Sequence, residues 1–295
     1  MMYIMLFMMV MLSIAFITLL ERKLLGYMQL RKGPNKIMFM GLIQPLSDGV
    51  KLFLKENNLG FNMSGGLFMC FPLLLFFLMG SMWFVFSYVY MHYWVYEMLV
   101  VVMLSGLSVY GVLGMGWSSN ANYALMGSYR SVVQTVSYEV CLVFVLMSVM
   151  FMSGGYSLGN FEGTIKNSIW LMVFCWGLMV LWVLVMMAEL NRAPFDFVEG
   201  ESELVSGFNV EYGGLNFALI FLAEYGNMIF FSYLSVLMFF QVEMMMLVVF
   251  LMSIIWVRGT FPRYRYDSLM SLTWKRVLPL ILLMFYVIFM VMLMM

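Results

Sequence analysis

The chain has 295 residues, of which 64% are hydrophobic, 18% aromatic and only 10% charged, and its formal net charge is zero. Soluble domains carry roughly 25% charged residues, so most of this surface must face lipid, and the neutral balance suggests no nucleic-acid partner. Cys70, Cys141 and Cys175 each stand alone in an apolar run and are expected to face lipid or core, and His92 is the single histidine; no zinc, iron–sulfur or disulfide spacing results.

A membrane-crossing helix needs about 20 residues. The first uncharged run is 1–20; it lacks the basic start and small-residue cleavage site of a signal peptide, so it reads as a span. "ERKLLGYMQLRKGPNK" follows, with a turn at Gly33-Pro34-Asn35. In "GLIQPLSDGVKLFLKE" (41–56), Leu42, Leu46, Val50, Leu52 and Phe53 alternate with Asp48, Lys51, Lys55 and Glu56, which predicts an amphipathic helix in the interface. Its two readings are a plain anchor helix and a wall of a cavity that opens to the membrane. Further apolar runs are 67–91, 98–117, 132–152 (broken by Glu139), 168–188, 215–240 (carrying Glu224), 239–257 (containing Glu243) and 277–295. The expected fold class is therefore an all-α polytopic membrane protein, one transmembrane domain over 1–295, with about eight transmembrane helices, the amphipathic interfacial helix and a structured acidic loop at 189–214.

Charge orients these spans. With eight of them, loops 21–66, 118–131, 189–214 and 258–276 share one side and hold 14 of the 15 Lys and Arg residues; the other side holds Lys166 alone. That asymmetry is a positive-inside signal, and it puts both ends of the chain on the opposite face.

The acids are equally uneven. Glu139 lies seven residues into its run and Glu224 nine, roughly 10 and 13 Å along a helix, while Glu189 ends the fifth span. A carboxylate inside a membrane costs about 2.5–3.5 kcal/mol on insertion scales, so such groups face an interior or a hydrated path. One alone can be a structural hydrogen-bond partner. Three on three spans, all toward the basic side, favour a proton path, with Glu224, the deepest, expected to tolerate glutamine best. "AELNRAPFDFVEGESELVSGFNVEYGG" (188–214) holds six acids, Glu189, Asp196, Glu199, Glu201, Glu203 and Glu211, against one base, Arg192. If Pro194 starts a short helix, Asp196, Glu199 and Glu203 share a face. The plain reading is a solvated loop. The interleaved Phe195, Phe197 and Val198, and a basic loop "RGTFPRYRYD" (258–267) on the same side, favour a polar cavity with an apolar mouth. "GMG" at 114–116 follows a span rather than a strand and does not make a nucleotide loop.

"LLERKLLGYMQLRKGPNK", the 188–214 stretch and "FPRYRYDSLM", followed by "WK", resemble the subunit 1 family of NADH:ubiquinone oxidoreductase, respiratory complex I, across essentially the whole chain. Departures lie at the ends and in a short connection in the 240s. The 37 methionines suit a mitochondrial genome, in which AUA also encodes Met. The resemblance implies a multi-pass protein of the mitochondrial inner membrane, its basic face toward the matrix. The first helix, the amphipathic helix and the sixth span would frame a tunnel for ubiquinone, the substrate. FMN and iron–sulfur clusters would be carried only by partner subunits, and the partners would be other subunits of the complex, namely the hydrophilic subunits at the quinone site and small membrane subunits. By the same resemblance, Arg22, Asp48, Arg192, Asp196, Arg258 and Arg263 would line the tunnel or its mouth. Glu199, Glu201, Glu203 and Glu211 would form the coupling loop, and Glu139, Glu189, Glu224 and Tyr225 a carboxylate route for protons. Two alternatives stand: the membrane subunit of a related ion-translocating hydrogenase, and an ion transporter, although paired broken helices are not evident.

Overall fold

In the computed structural model the described residues are 2–56, 63–85, 96–158, 169–196, 207–240 and 244–294. They form helices α1 (Met2–Met28), α2 (Gln44–Leu54), α3 (Gly65–Val85), α4 (Glu97–Ser119), α5 (Asn122–Ser153), α6 (Ile169–Glu189), α7 (Gly214–Phe239), α8 (Met244–Thr260), α9 (Tyr266–Leu272) and α10 (Leu278–Met294). Short 3₁₀ turns lie at Phe39–Gly41 and Gly207–Glu211, and a π-turn at Thr273–Val277 joins α9 to α10. No strand occurs among the described residues. Six helices are long and apolar enough to cross a membrane, and Trp176–Glu189 and Met245–Thr260 are shorter apolar helices at two further expected spans. The chain is thus an all-helical polytopic membrane protein.

Helices outrun the apolar runs. α1 continues past the acid–base cluster to Met28, and α5 begins at Asn122, so Arg130 is helical rather than part of a loop. Hydropathy marks where a helix meets lipid, not where it ends, and Glu, Arg and Lys are good helix formers. At 32 residues α5 is about 48 Å long, against a hydrocarbon core of about 30 Å.

α3, α4 and α5 pack consecutively, α5 also carries α6 and α10, and α7 packs on α1, α2, α3 and α8. Asn120, in the left-handed region at φ 51°, closes α4 and turns the chain into α5. Close approach needs small residues where lipid gives no hydrophobic drive between helices. A Cβ at Gly116 of α4 would overlap the Ser128 side chain of α5, and one at Gly127 would lie 2.8 Å from the Gly207 Cα. Serines bond back to their own helix, as Ser105 Oγ donates to the Val102 carbonyl at 2.9 Å and Ser148 Oγ to that of Val145 at 2.6 Å. That satisfies hydroxyls where water is absent. Aromatic contacts tie α5 to α10, with Phe151 5.7 Å from both Phe285 and Phe289.

Helix α2 buries none of its residues and lies on α1 and α7. The expected amphipathic segment is therefore a helix, started by Pro45 in its first turn. Cys141 is buried and Cys70 exposed on the outer face of α3. His92, Lys166, Glu199, Glu201, Glu203 and Glu243 lie outside the described residues.

Candidate functional site

The site forms where α1, α7 and α8 meet. Val10, Ile14, Ile17 and Glu21 are all buried on α1. Their spacing is a single helical stripe, so the helix that carries three apolar side chains inward carries a carboxylate inward with them. Two groups satisfy it. Arg258, in the last turn of α8, forms an ion pair with Glu21 Oε1, and the Tyr225 hydroxyl of α7 donates to Glu21 Oε2 at 2.7 Å. The Arg192 guanidinium, just beyond α6, stands 4.5 Å over the Tyr225 ring and pairs through Nη2 with Glu224 Oε2 at 3.4 Å. Base, acid, phenol, base and acid thus follow one another across three helices and a loop.

A second set opens outward. Arg22 Nη1 lies 2.6 Å from Asp48 Oδ2, and Gln44 donates to Asp48 Oδ1 at 3.0 Å, joining α1 to α2. Asp196, only 4% exposed, faces Arg263 at 3.6 Å. The Tyr264 N–H donates to the Pro194 carbonyl at 3.0 Å, and Phe195 lies against the Tyr264 ring at 5.7 Å. The described start of the acidic loop therefore meets the basic loop as its composition suggested. It does so on irregular turns, however. Residues 191–196 are not helical and Phe195 N–H donates to the Arg192 carbonyl at 2.9 Å, which corrects the expected helix start at Pro194. Gln134 of α5 holds this segment by donating to the Ala188 carbonyl at 3.0 Å and the Phe195 carbonyl at 2.8 Å. The two bonds tie the last turn of α6 and the segment beyond it to α5, and the Ala188 carbonyl also accepts from the Asn191 N–H at 3.2 Å.

A cavity of about 90 Å³ lies inward of Arg192, lined among others by Glu189, Asn191, Asp196, Asn209, Glu224 and Asn227. Glu189 Oε2 and the Oδ1 atoms of Asn191, Asn209 and Asn227 are buried there without a hydrogen-bond partner among the described residues. A cavity of this volume and polarity admits a few water molecules, each needing two to four polar partners. Glu139 is not on its wall. It packs against Gly106 of α4, where a Cβ would overlap its Oε1, within electrostatic reach of Glu189. Glu211 is half-buried at the end of the 3₁₀ turn. Next to it Tyr212 stacks on Phe68 at 4.1 Å and meets Ser118 Oγ at 3.1 Å; burial pushes its hydroxyl up to about 12, so the phenol stays neutral.

The geometry distinguishes two of the acids. Glu224 is salt-bridged to Arg192 and its side chain is 29% exposed, whereas the buried Oε2 of Glu189 has no hydrogen-bond partner among the described residues. Depth along the helix does not show that Glu224 has a partner, because Arg192 comes from another segment. The spacing of the apolar runs passed over Glu21 and Gln134. Continuing the Val10–Ile17 stripe by one turn would have found Glu21; Gln134 sits in a mixed polar stretch with no comparable signal.

Fold and site together define a polytopic helical membrane protein that carries a connected set of buried charges and carboxylates toward its basic end. Comparison with known proteins narrows the class. A family model described as NADH dehydrogenase matches residues 1–289, and the chain belongs to that family. It is 48% identical over 290 residues to NADH-ubiquinone oxidoreductase chain 1 of Carassius auratus, covering 92% of this chain and 88% of that one. It is 46% identical over 294 residues to the protein of that name from Lampetra fluviatilis, covering 94% of this chain and 90% of that one. The Emballonura alecto protein of that name is 46% identical over 290 residues.

Proposed function

We propose that this chain is a core membrane subunit of a proton-pumping NADH:ubiquinone oxidoreductase in the mitochondrial inner membrane, admitting ubiquinone and coupling its reduction to proton translocation. The supporting observation is the series Arg258–Glu21–Tyr225 and Arg192–Glu224, which reaches the cavity at Glu189, together with the separate exposed Arg22–Asp48 pair where α1 meets α2.

In this reading α1, α2 and α7 frame the quinone entrance, and Arg22, Asp48, Arg192, Asp196, Arg258 and Arg263 line it or its mouth. Flavin and iron–sulfur chemistry belong to partner subunits, which deliver electrons to the bound head group. Reduction consumes two protons with its two electrons, so charge changes abruptly beside the Arg192 and Arg258 pairs. A paired buried charge is sensitive to such a change, because losing its partner's field costs about 3–5 kcal/mol. Glu224 and Glu189 then exchange protons through the cavity, with Glu139 next inward. The loop acids Glu199, Glu201, Glu203 and Glu211 are the element that switches with the redox event.

The test compares two activities of the assembled enzyme. Arg22→Ala leaves Asp48 without its cation at the entrance. It is expected to lower quinone-dependent turnover about tenfold, the worth of roughly 1.4 kcal/mol, while NADH oxidation by a hydrophilic artificial acceptor stays near wild type. Equal loss of both activities defeats this reading. Mass spectrometry of the co-purifying subunits separates it from a hydrogenase subunit or a lone transporter.

A further inference from the structure

The last span is not one uniform helix. Between α9 and α10 the Leu278 N–H donates to the Thr273 carbonyl, a π-type bond. Pro279 accounts for the change of ladder, because it has no N–H to return to Lys275. The turn sends Thr273 and Val277 inward, where they are buried, and leaves Trp274, Lys275 and Arg276 exposed. Neither Lys275 nor Arg276 forms an ion pair among the described residues. Asp267, the acid on the same span, is held by Arg265 at 3.3 Å.

Below this basic pair α10 carries no charged residue. Leu280 and Leu283 follow Arg276 by four and seven residues and are 53% and 58% exposed, so they continue its face down the helix. The 17 residues of α10 span about 26 Å, close to the roughly 30 Å of a hydrocarbon core. The pair therefore stands at headgroup height, with Trp274 in the position of an interfacial aromatic.

We propose that this face is a binding site for an anionic phospholipid, its phosphate between Lys275 and Arg276 and an acyl chain along Leu280 and Leu283. A basic pair directly above an apolar stripe matches a ligand that is anionic at one end and hydrocarbon at the other. A transmembrane helix of another protein fits less well, since such interfaces favour small residues and α10 contains no Gly, Ala, Ser or Thr.

The experiment uses the protein with its native subunits, reconstituted in vesicles that contain a photoactivatable phosphatidylglycerol or, separately, the matching phosphatidylcholine. Crosslinked peptides over 274–290 are quantified by mass spectrometry. The anionic probe is expected to label this stretch on the order of tenfold more than the zwitterionic one, from two basic groups at the surface. Unlabelled phosphatidylglycerol should compete, K275Q/R276Q should abolish the preference, and K275R/R276K should keep it. Equal labelling by both probes overturns the site. So does absent labelling with Lys275 instead captured by a carbodiimide on a neighbouring subunit's carboxylate, which makes the face a protein interface. If the double glutamine variant does not assemble, the ratio of the two probes on the wild type, with and without competitor, decides.

Discussion

At the scale of single residues, Glu21 shows how a membrane protein tolerates a buried carboxylate. It receives the Arg258 guanidinium on one oxygen and the Tyr225 hydroxyl on the other. Removing one member of a buried ion pair costs about 3–5 kcal/mol, whereas replacing both by apolar groups is often nearly neutral. Arg258→Met alone should therefore lower the thermal stability of the assembled protein sharply, and E21L/R258M should recover most of that loss. Additive losses in that double-mutant cycle would mean that the pair is not coupled. The three inner acids differ in what glutamine would cost them. Glu224→Gln weakens the bond to Arg192 and Glu189→Gln changes the carboxyl group on the cavity wall. Both variants should assemble and lose quinone turnover together with the proton-to-electron ratio, while Glu139→Gln, further from Arg192, should affect the ratio more than the turnover. Full activity and an unchanged ratio in all three would reduce them to structural hydrogen-bond partners.

Among the elements, the α4–α5 hairpin is held by proximity. Gly116 leaves no room for a Cβ beside Ser128, so Gly116→Ala must push the two helices apart. Overpacking of this kind costs about 1–3 kcal/mol, and because Ser118 at the end of α4 touches Tyr212, the 3₁₀ turn behind the cavity should loosen too. Gly49 is the contrasting position: it lies inside α2 with nothing within 4 Å of an added Cβ. Gly49→Ala should be neutral or stabilise by about 0.5–1 kcal/mol, since glycine in a helix interior is costly. Melting curves of the two variants should move in opposite directions, and a shared downward shift would show that α2 depends on contacts outside its own chain.

For the molecule as a whole, the distribution of charge dictates how the bundle sits. Arg22 and Lys23 of α1, Lys51 of α2, Arg258 of α8 and Lys275 and Arg276 of the π-turn all belong to the side that the charge asymmetry marks as basic, the side of the buried Glu21–Arg258 pair. Membrane-impermeant labelling of single-cysteine variants at Lys32 and Arg263 should report one side of the membrane, and at Lys166 the other. Labelling of all three from one side would break the eight-span topology.

What could be read directly from the residues was whatever depends on local composition. Apolar runs of about 20 residues can only be buried in lipid as helices, because backbone groups have no water there to bond. That determined the fold class and pointed to the 41–56 segment, within which a helix runs from Gln44 to Leu54, and the quoted motifs carried the family resemblance. Acids inside apolar runs were visible for the same reason, as breaks in a uniform pattern. The pairings were not visible. Glu21 and Arg258 are separated by 237 positions, and Tyr225 and Glu21 by 204. Nothing in either neighbourhood specifies which buried charge meets which. Only the tertiary structure decided that Glu21 meets Arg258 and Tyr225, that Glu224 is paired with Arg192, and that Glu189 Oε2 faces a cavity with no hydrogen-bond partner among the described residues. Those outcomes depend on how α1, α7 and α8 cross, and packing of distant segments, rather than local preference, sets that crossing.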